Sequence, residues 1–275
     1  TNTYNVAVGA VAGGAVTTGK ENTLIGGLAG DALTTGSNNV AVGFEALSTE
    51  DAHGNNVAIG NRALKTLNAG AAGLNVAVGD DAGLSITTGI RNTLVGAIAG
   101  DAFTDADDNV GIGDEALSSD TLGSRSTAVG TNTLATQNFT TATNANNVAV
   151  GYNAGVVLTT GIRNTFVGAD AGDTITDADN NVAVGALALS ADTLGSQSVA
   201  IGRGALKVQN FTTATNTLNT AVGYSAGESV TTGIGNTFLG NSAADAAQTN
   251  SFSTLVGAAS DCNDTSSNSC NGFGY

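Results

Sequence analysis

The chain has 275 residues, 39 of them Gly, with no Pro, Met or Trp and only 11% charged; this excludes an ordinary core of Leu, Phe and Met and leaves a narrow one of small and β-branched side chains. A formal charge of −15 repels a phosphate backbone and excludes nucleic acid as a partner. No run of 18 apolar residues occurs, so no membrane insertion is expected.

The chain opens without an initiator Met or a signal-peptide pattern and enters a repeat at once, so a processed mature form or an excised piece is expected. The motif Asn-x-Ala-Val-Gly starts at Asn5 and returns at Asn22, Asn39 and Asn56. A second set starts at Asn75, Asn92, Asn109 and Ser126, a third at Asn147, Asn164, Asn181 and Ser198, and a last one at Asn219, Asn236 and Ser253. Steps are 17 residues, except 19 after Asn56 and 21 after Ser126 and Ser198. A fixed period of this size is the signature of a solenoid, in which each turn buries its core only against its neighbours.

Within the repeat, position five is always Gly (Gly9 to Gly257) and position four always Val, Ile or Leu (Val8 to Val256). An invariant Gly marks a turn or a close backbone approach. The position-four aliphatics are expected to point inward as a ladder. Asn at position one is expected to stack at a corner, each side-chain amide bonding the next. Position nine reads Gly, Gly, Leu, Leu through successive coils (Gly13, Gly30, Leu47, Leu64) and repeats. Four coils therefore form a superrepeat of about 72 residues. The expected fold is all-β: a parallel β-solenoid (β-helix or β-roll) of about fifteen coils, over residues 1–257. Residues 258–275 are expected to be a C-terminal cap or tail with a Cys pair, Cys262 and Cys270, which reads as a disulfide formed in an oxidising compartment.

The fourth coil of each set is the long one, and its extra residues must be extruded, near Asn68 to Leu74, Asn138 to Asn146 and Asn210 to Leu218. Loops on a rigid scaffold commonly carry binding. Asn138, Phe139 and Thr140, with Asn210, Phe211 and Thr212, are therefore candidate binding residues, Phe139 and Phe211 serving as anchors for a partner or a sugar. The alternative is that each ring plugs its own loop or packs on a neighbouring subunit. Both loops read Asn-Phe-Thr, a glycosylation sequon, so Asn138 and Asn210 are candidate glycan carriers in a suitable host.

The repeats, above all Asn147-Val148-Ala149-Val150-Gly151-Tyr152 and Asn219-Thr220-Ala221-Val222-Gly223-Tyr224, resemble the head repeats of trimeric autotransporter adhesins and the similar repeats of phage and bacterial tail-fibre-like proteins. The coil here is longer than the usual adhesin head coil. The resemblance implies a left-handed parallel β-roll or β-helix, a trimer and a role in surface attachment.

Other features are weaker. The acidic turns Asp105, Asp107, Asp108 and Asp177, Asp179 occupy equivalent places in two sets. Their alternating oxygens are of the type that holds Ca²⁺; the alternative is solvated turns in which Asp caps backbone N–H groups. The single His, His53, reads as a turn filler at the place of Leu122 and Leu194. A Thr column at position thirteen (Thr17, Thr34, Thr87, Thr104 and onward) is the kind of array that binds ice, but Asp51, Asn68, Asn138 and Asn210 interrupt it. No triad, no metal-ligand His or Cys cluster and no P-loop is visible, so no enzyme is expected and no cofactor beyond Ca²⁺.

The first functional reading is a non-enzymatic shaft or adhesive module of an extracellular fibre, secreted, on a cell surface or on a virion, with a cell-surface receptor or glycan as partner. It forms a homo-oligomer, a trimer or an end-to-end filament, because Val148 and Val150 on one strand face and Ala149, Leu24, Leu94, Phe166 or Phe238 on the other make both faces apolar. The alternatives are a subunit of a self-assembling extracellular filament and an ice- or ligand-binding solenoid.

Overall fold

The computed structural model describes residues 3–246, 249–261 and 269–274. The chain is a parallel β-solenoid with one turn per repeat, and it divides into two compact units, residues 1–144 and 145–275. Among the described residues there is no helix.

In the first unit eight three-residue strands pair in chain order: β1 (Val6–Val8), β2 (Thr23–Ile25), β3 (Val40–Val42), β4 (Val57–Ile59), β5 (Val76–Val78), β6 (Thr93–Val95), β7 (Val110–Ile112) and β9 (Thr127–Val129). The short β8 (Gly123–Ser124) pairs with β10 (Thr143–Asn144). The second unit repeats the plan with β11 (Val148–Val150), β12 (Thr165–Val167), β13 (Val182–Val184), β15 (Val199–Ile201), β17 (Thr220–Val222), β18 (Thr237–Leu239), β19 (Thr254–Val256) and β20 (Asn271–Phe273). There β14 (Gly195–Ser196) pairs with β16 (Thr215–Asn216). Registers are one repeat apart throughout; Val6, Ala7 and Val8 lie level with Thr23, Leu24 and Ile25.

The inward position is not the expected one. The middle residue of each strand is buried, Ala41 at 0% and Leu24 at 1% exposure, while position four faces out, Val8 at 58% and Ile25 at 38%. The reason is the Asn. Each first-position Asn turns its amide into the wall, where Asn22 is 1% exposed. Side chains alternate along a strand, so an inward position one puts position three inward and positions two and four outside.

The Asn ladder is also built differently from simple amide stacking. The Oδ1 of Asn5 accepts the backbone N–H of Asn22 at 2.9 Å, and Asn22 Nδ2 donates to the Gly36 carbonyl at 2.9 Å. Most of these Asn thus tie their own turn shut and receive the next one, while Asn56 Nδ2 donates back to the Gly54 carbonyl at 3.3 Å; in some steps, as Asn22 Nδ2 to Asn5 Oδ1 at 3.2 Å, the amides also bond each other. The Gly ladder follows from close approach. Gly43 has φ +144°, and a Cβ there would lie 2.1 Å from the Gly60 carbonyl oxygen.

The Gly/Leu alternation at position nine is volume compensation within and between coils. Position nine is Gly beside a large position three of its own coil, where a Cβ on Gly30 would sit 2.7 Å from Leu24 and one on Gly172 2.7 Å from Phe166, and also beneath a large position three of the next coil, where a Cβ on Gly13 would sit 2.7 Å from Leu24 and one on Gly227 2.8 Å from Phe238. Where position three is Ala in both coils, as in Ala41 and Ala58, position nine is Leu, as the buried Leu47. A close-packed interior tolerates neither the double bulk nor the double void.

The boundary expected at 257 falls inside the ladder. β20 pairs with β19 at the usual spacing, Thr254 level with Asn271. Cys270 takes the corner place of Asn, its N–H donating to Ser253 Oγ at 3.1 Å. The sequence hid this turn because Cys270-Asn271-Gly272-Phe273-Gly274 keeps only the fifth-position Gly of the motif. Cys262, the other half of the expected disulfide, lies outside the described residues.

Candidate functional site

The outer face of the sheet is chemically uniform. Positions two and four project from it in two columns, one of Val and Thr, the other of Val, Ile and Leu, up to Val256. Not one charged residue stands in either column. Ile59, Ile112, Val148, Val150, Ile201 and Leu239 are exposed. Contiguous apolar exposure of this kind marks an interaction surface. The expected pairing of faces is thus inverted: Leu24, Leu94, Phe166 and Phe238 pack inside, and the valines and threonines lie outside.

The extruded loops are anchored by buried carboxylates that sequence reasoning missed. Asp120 lies in the interior at position twelve, a place held in neighbouring coils by Leu33, Ile86 or Phe103. Its Oδ1 accepts the N–H of Gly123 at 3.0 Å and of Phe139 at 3.1 Å; its Oδ2 accepts Gln137 Nε2 at 2.6 Å. Asp192 repeats this with Gly195 at 3.1 Å, Phe211 at 3.0 Å and Gln209 at 2.5 Å. Glu50 does the same with the N–H groups of His53 at 3.0 Å and Ala69 at 3.1 Å. Burial pushes the carboxyls of Asp120 and Asp192 up, against the opposing pull of their Gln and backbone donors. The signal was an acidic residue eleven places after Asn39, Asn109 and Asn181, always in the coil before a long one.

The ring-anchor reading of the loops is therefore corrected. Phe139 and Phe211 are buried at 5% and 8% exposure, because each backbone N–H is drawn into the wall by the carboxylate beneath. Asn138, Thr140, Asn210 and Thr212 are exposed. Asn138 Oδ1 accepts Thr121 Oγ1 at 3.1 Å.

The five Asp of the acidic turns do not converge. Asp107 Oδ1 accepts Ile90 N–H at 2.8 Å and Asp179 Oδ1 accepts Ile162 N–H at 2.7 Å, each from the preceding coil. Asp105 and Asp177 accept the hydroxyls of Thr88 and Thr160. Arg91 grips Asp108 at 2.6 and 3.0 Å and holds that carboxyl below its usual range. The Thr column is likewise internal wiring: Thr17 Oγ1 donates to the Thr34 carbonyl at 3.1 Å and Thr87 Oγ1 to that of Thr104 at 3.1 Å.

Among the described residues one group of three potential metal ligands occurs, Glu50, Asp51 and His53, with ligating atoms within 4.8 Å. His53 is not level with Leu122 and Leu194. Asn39 Nδ2 donates to its carbonyl at 3.1 Å just as Asn109 and Asn181 do to Gly123 and Gly195, both at 2.9 Å. A Cβ on Gly123 would meet the Phe139 ring at 2.7 Å. In the first set Ala69 replaces that Phe and His53 replaces that Gly. The described residues enclose no pocket.

Comparison with family models and with curated proteins returns no match.

Proposed function

We propose that the protein is a non-enzymatic shaft or adhesive module of an extracellular fibre, assembled as a trimer through the outer face of its sheet. One observation carries this reading: two columns of β-branched and aliphatic side chains, without a charge, on a chain whose formal charge is −15. A strand apolar on one face and filled with Ala, Leu and Phe on the other is covered on both sides in stable proteins. The covering partner that matches a repeated surface coil for coil is the same surface on another copy. The extruded loops, with exposed Thr140 to Ala142 and Thr212 to Ala214, then stay free for contact with a receptor or glycan.

Sedimentation equilibrium tests it. A particle three times the 26.7 kDa chain at micromolar concentration is expected, with short rods by electron microscopy. A monomer with a stable fold refutes the assembly, and long filaments point instead to end-to-end polymerisation.

A further inference from the structure

One corner of the first set departs from the repeat at three places, and each departure brings a metal-ligating group. Where a first-position Asn closes its own turn, the carbonyl it meets belongs to a Gly or an Ala, as at Gly36, Gly89, Ala106, Gly161 and Ala178. At the corner closed by Asn39 it belongs to His53, the only His of the chain; Asn250 is the other exception. Position thirteen is Thr121 and Thr193 in the corresponding coils and Asp51 here. Position twelve is Asp120 and Asp192 there and the longer Glu50 here.

Anchoring of the loop accounts for only part of this change. Glu50 receives the N–H groups of Ala69 and His53, and Gly123 and Gly195 supply the corner N–H equally well in the other two sets. Thr121 and Thr193 also tie the loop down, their hydroxyls donating to the Phe139 and Phe211 carbonyls at 2.9 and 2.8 Å. A carboxylate has no proton to donate, so Asp51 gives that tie up. Breaks in a local rule that add nothing to the packing concentrate at functional sites.

We propose that Glu50, Asp51 and His53 form a binding site for a divalent cation of the zinc class. One ligand atom of each lies within 4.8 Å of the other two. His53 Nδ1 stands 3.2 Å from Glu50 Oε1, close to the about 3.3 Å between two ligands of a tetrahedral Zn²⁺ with bonds of about 2.0 Å. The metal-free pair shares a proton, and the cation takes that proton's place. Oε1 has lone pairs for both the His53 N–H and the ion. Glu50 is fully buried, His53 half-buried and Asp51 exposed, so the ion is anchored in the wall and reached from solvent. Water completes the coordination, as at open sites with three protein ligands. An imidazole ligand selects against Ca²⁺ and Mg²⁺, which take oxygen. The site belongs to the first set alone and does not depend on the assembly proposed above.

Because His53 is the only His, its ring reports on the site without ambiguity. Zn²⁺ is titrated into the full, unreduced chain after chelator treatment, followed by calorimetry and by the ring nitrogen signals of the imidazole in NMR. D51T and H53G convert the corner to the residues of the other two sets, with circular dichroism melts as a folding control. The ring signals are expected to move to a saturated position at one ion per chain, and to stay in place when Ca²⁺ is added instead. D51T keeps the contact between His53 and Glu50 yet is expected to weaken Zn²⁺ binding about tenfold or more, and H53G at least as much. Ring signals that stay in place while Zn²⁺ binds put the ions elsewhere on the acidic surface and overturn the site. Wild-type affinity in either folded variant, or no binding to the wild type, overturns it as well.

Discussion

Adjacent residues on β11 give the sharpest test of which side of the wall is the interior. Ala149 is fully buried and lies level with Phe166 of the next coil, whereas Val150 is 37% exposed on the outer face. Ala149→Asp places a carboxylate in the packed interior, level with Phe166. An unpaired charge in a close-packed interior costs about 4 kcal/mol or more, which for a chain of this size lowers the melting temperature by about 8–16 °C. Val150→Asp puts the same carboxylate into solvent and removes a half-buried isopropyl group, at a cost of about 1 kcal/mol or less to the single chain. Its effect falls on assembly instead. Far-UV circular dichroism at low protein concentration, paired with sedimentation, separates the two. The Ala149 variant is expected to lose β signal on mild warming, and the Val150 variant to keep it while sedimenting as a monomer. An unfolded Val150 variant beside a wild-type-like Ala149 variant would refute the inside-out assignment.

Three further outcomes follow from the same structure. Burial pushes the Asp173 carboxyl up to about 6, so its contribution to stability is fully present below the ordinary carboxylate value and is lost as pH rises through about 6; Asp173→Asn should flatten the melting temperature between pH 4 and pH 7 relative to the wild type. Replacing Phe139 and Phe211 together with Ser should lower the melting temperature, since each buried ring contributes about 3 kcal/mol or more, and a melt unchanged by the double change would contradict the plugged loops. Free-thiol titration of the native protein should find none, and reduction should destabilise the chain by about 2–3 kcal/mol if Cys262 and Cys270 close a short loop.

The architecture was legible because solenoid packing writes itself into the sequence at a fixed spacing: Gly at every fifth position cannot be replaced where the backbones nearly touch. The facing of the strands was not legible from hydrophobicity. Val and Ala are both apolar, and the more hydrophobic column, Val8 to Val256, is the outer one. The deciding residue is polar. Asn22 is inside because its amide closes the corner and accepts the next N–H, and from that point the alternation is fixed. The last turn was invisible for the opposite reason: Cys270 and Asn271 break the motif while the backbone continues the ladder.

The long coils show how a solenoid accommodates an insertion. Two or four extra residues open the wall and leave backbone N–H groups near the core without a ladder partner, which is costly unless an acceptor is supplied. In each set the coil beneath supplies one: Glu50 takes the Ala69 N–H, Asp120 that of Phe139, and Asp192 that of Phe211. A neutral core residue at position twelve, such as the Leu33 or Ile86 of other coils, has no oxygen to offer. The acid and the loop therefore belong together. A shared burial of charge and orphaned amide explains why Gln137 and Gln209 stand at position twelve of the two 21-residue coils, where they donate to the second carboxylate oxygen. The 19-residue coil lacks that donor: it has Leu67 there, and in its set the carboxylate is the longer Glu50, whose Oε1 is met by the His53 imidazole at 3.2 Å. Both solutions place a buried carboxylate oxygen under an amide of the loop, so the loops' exposed tips are held by the core itself.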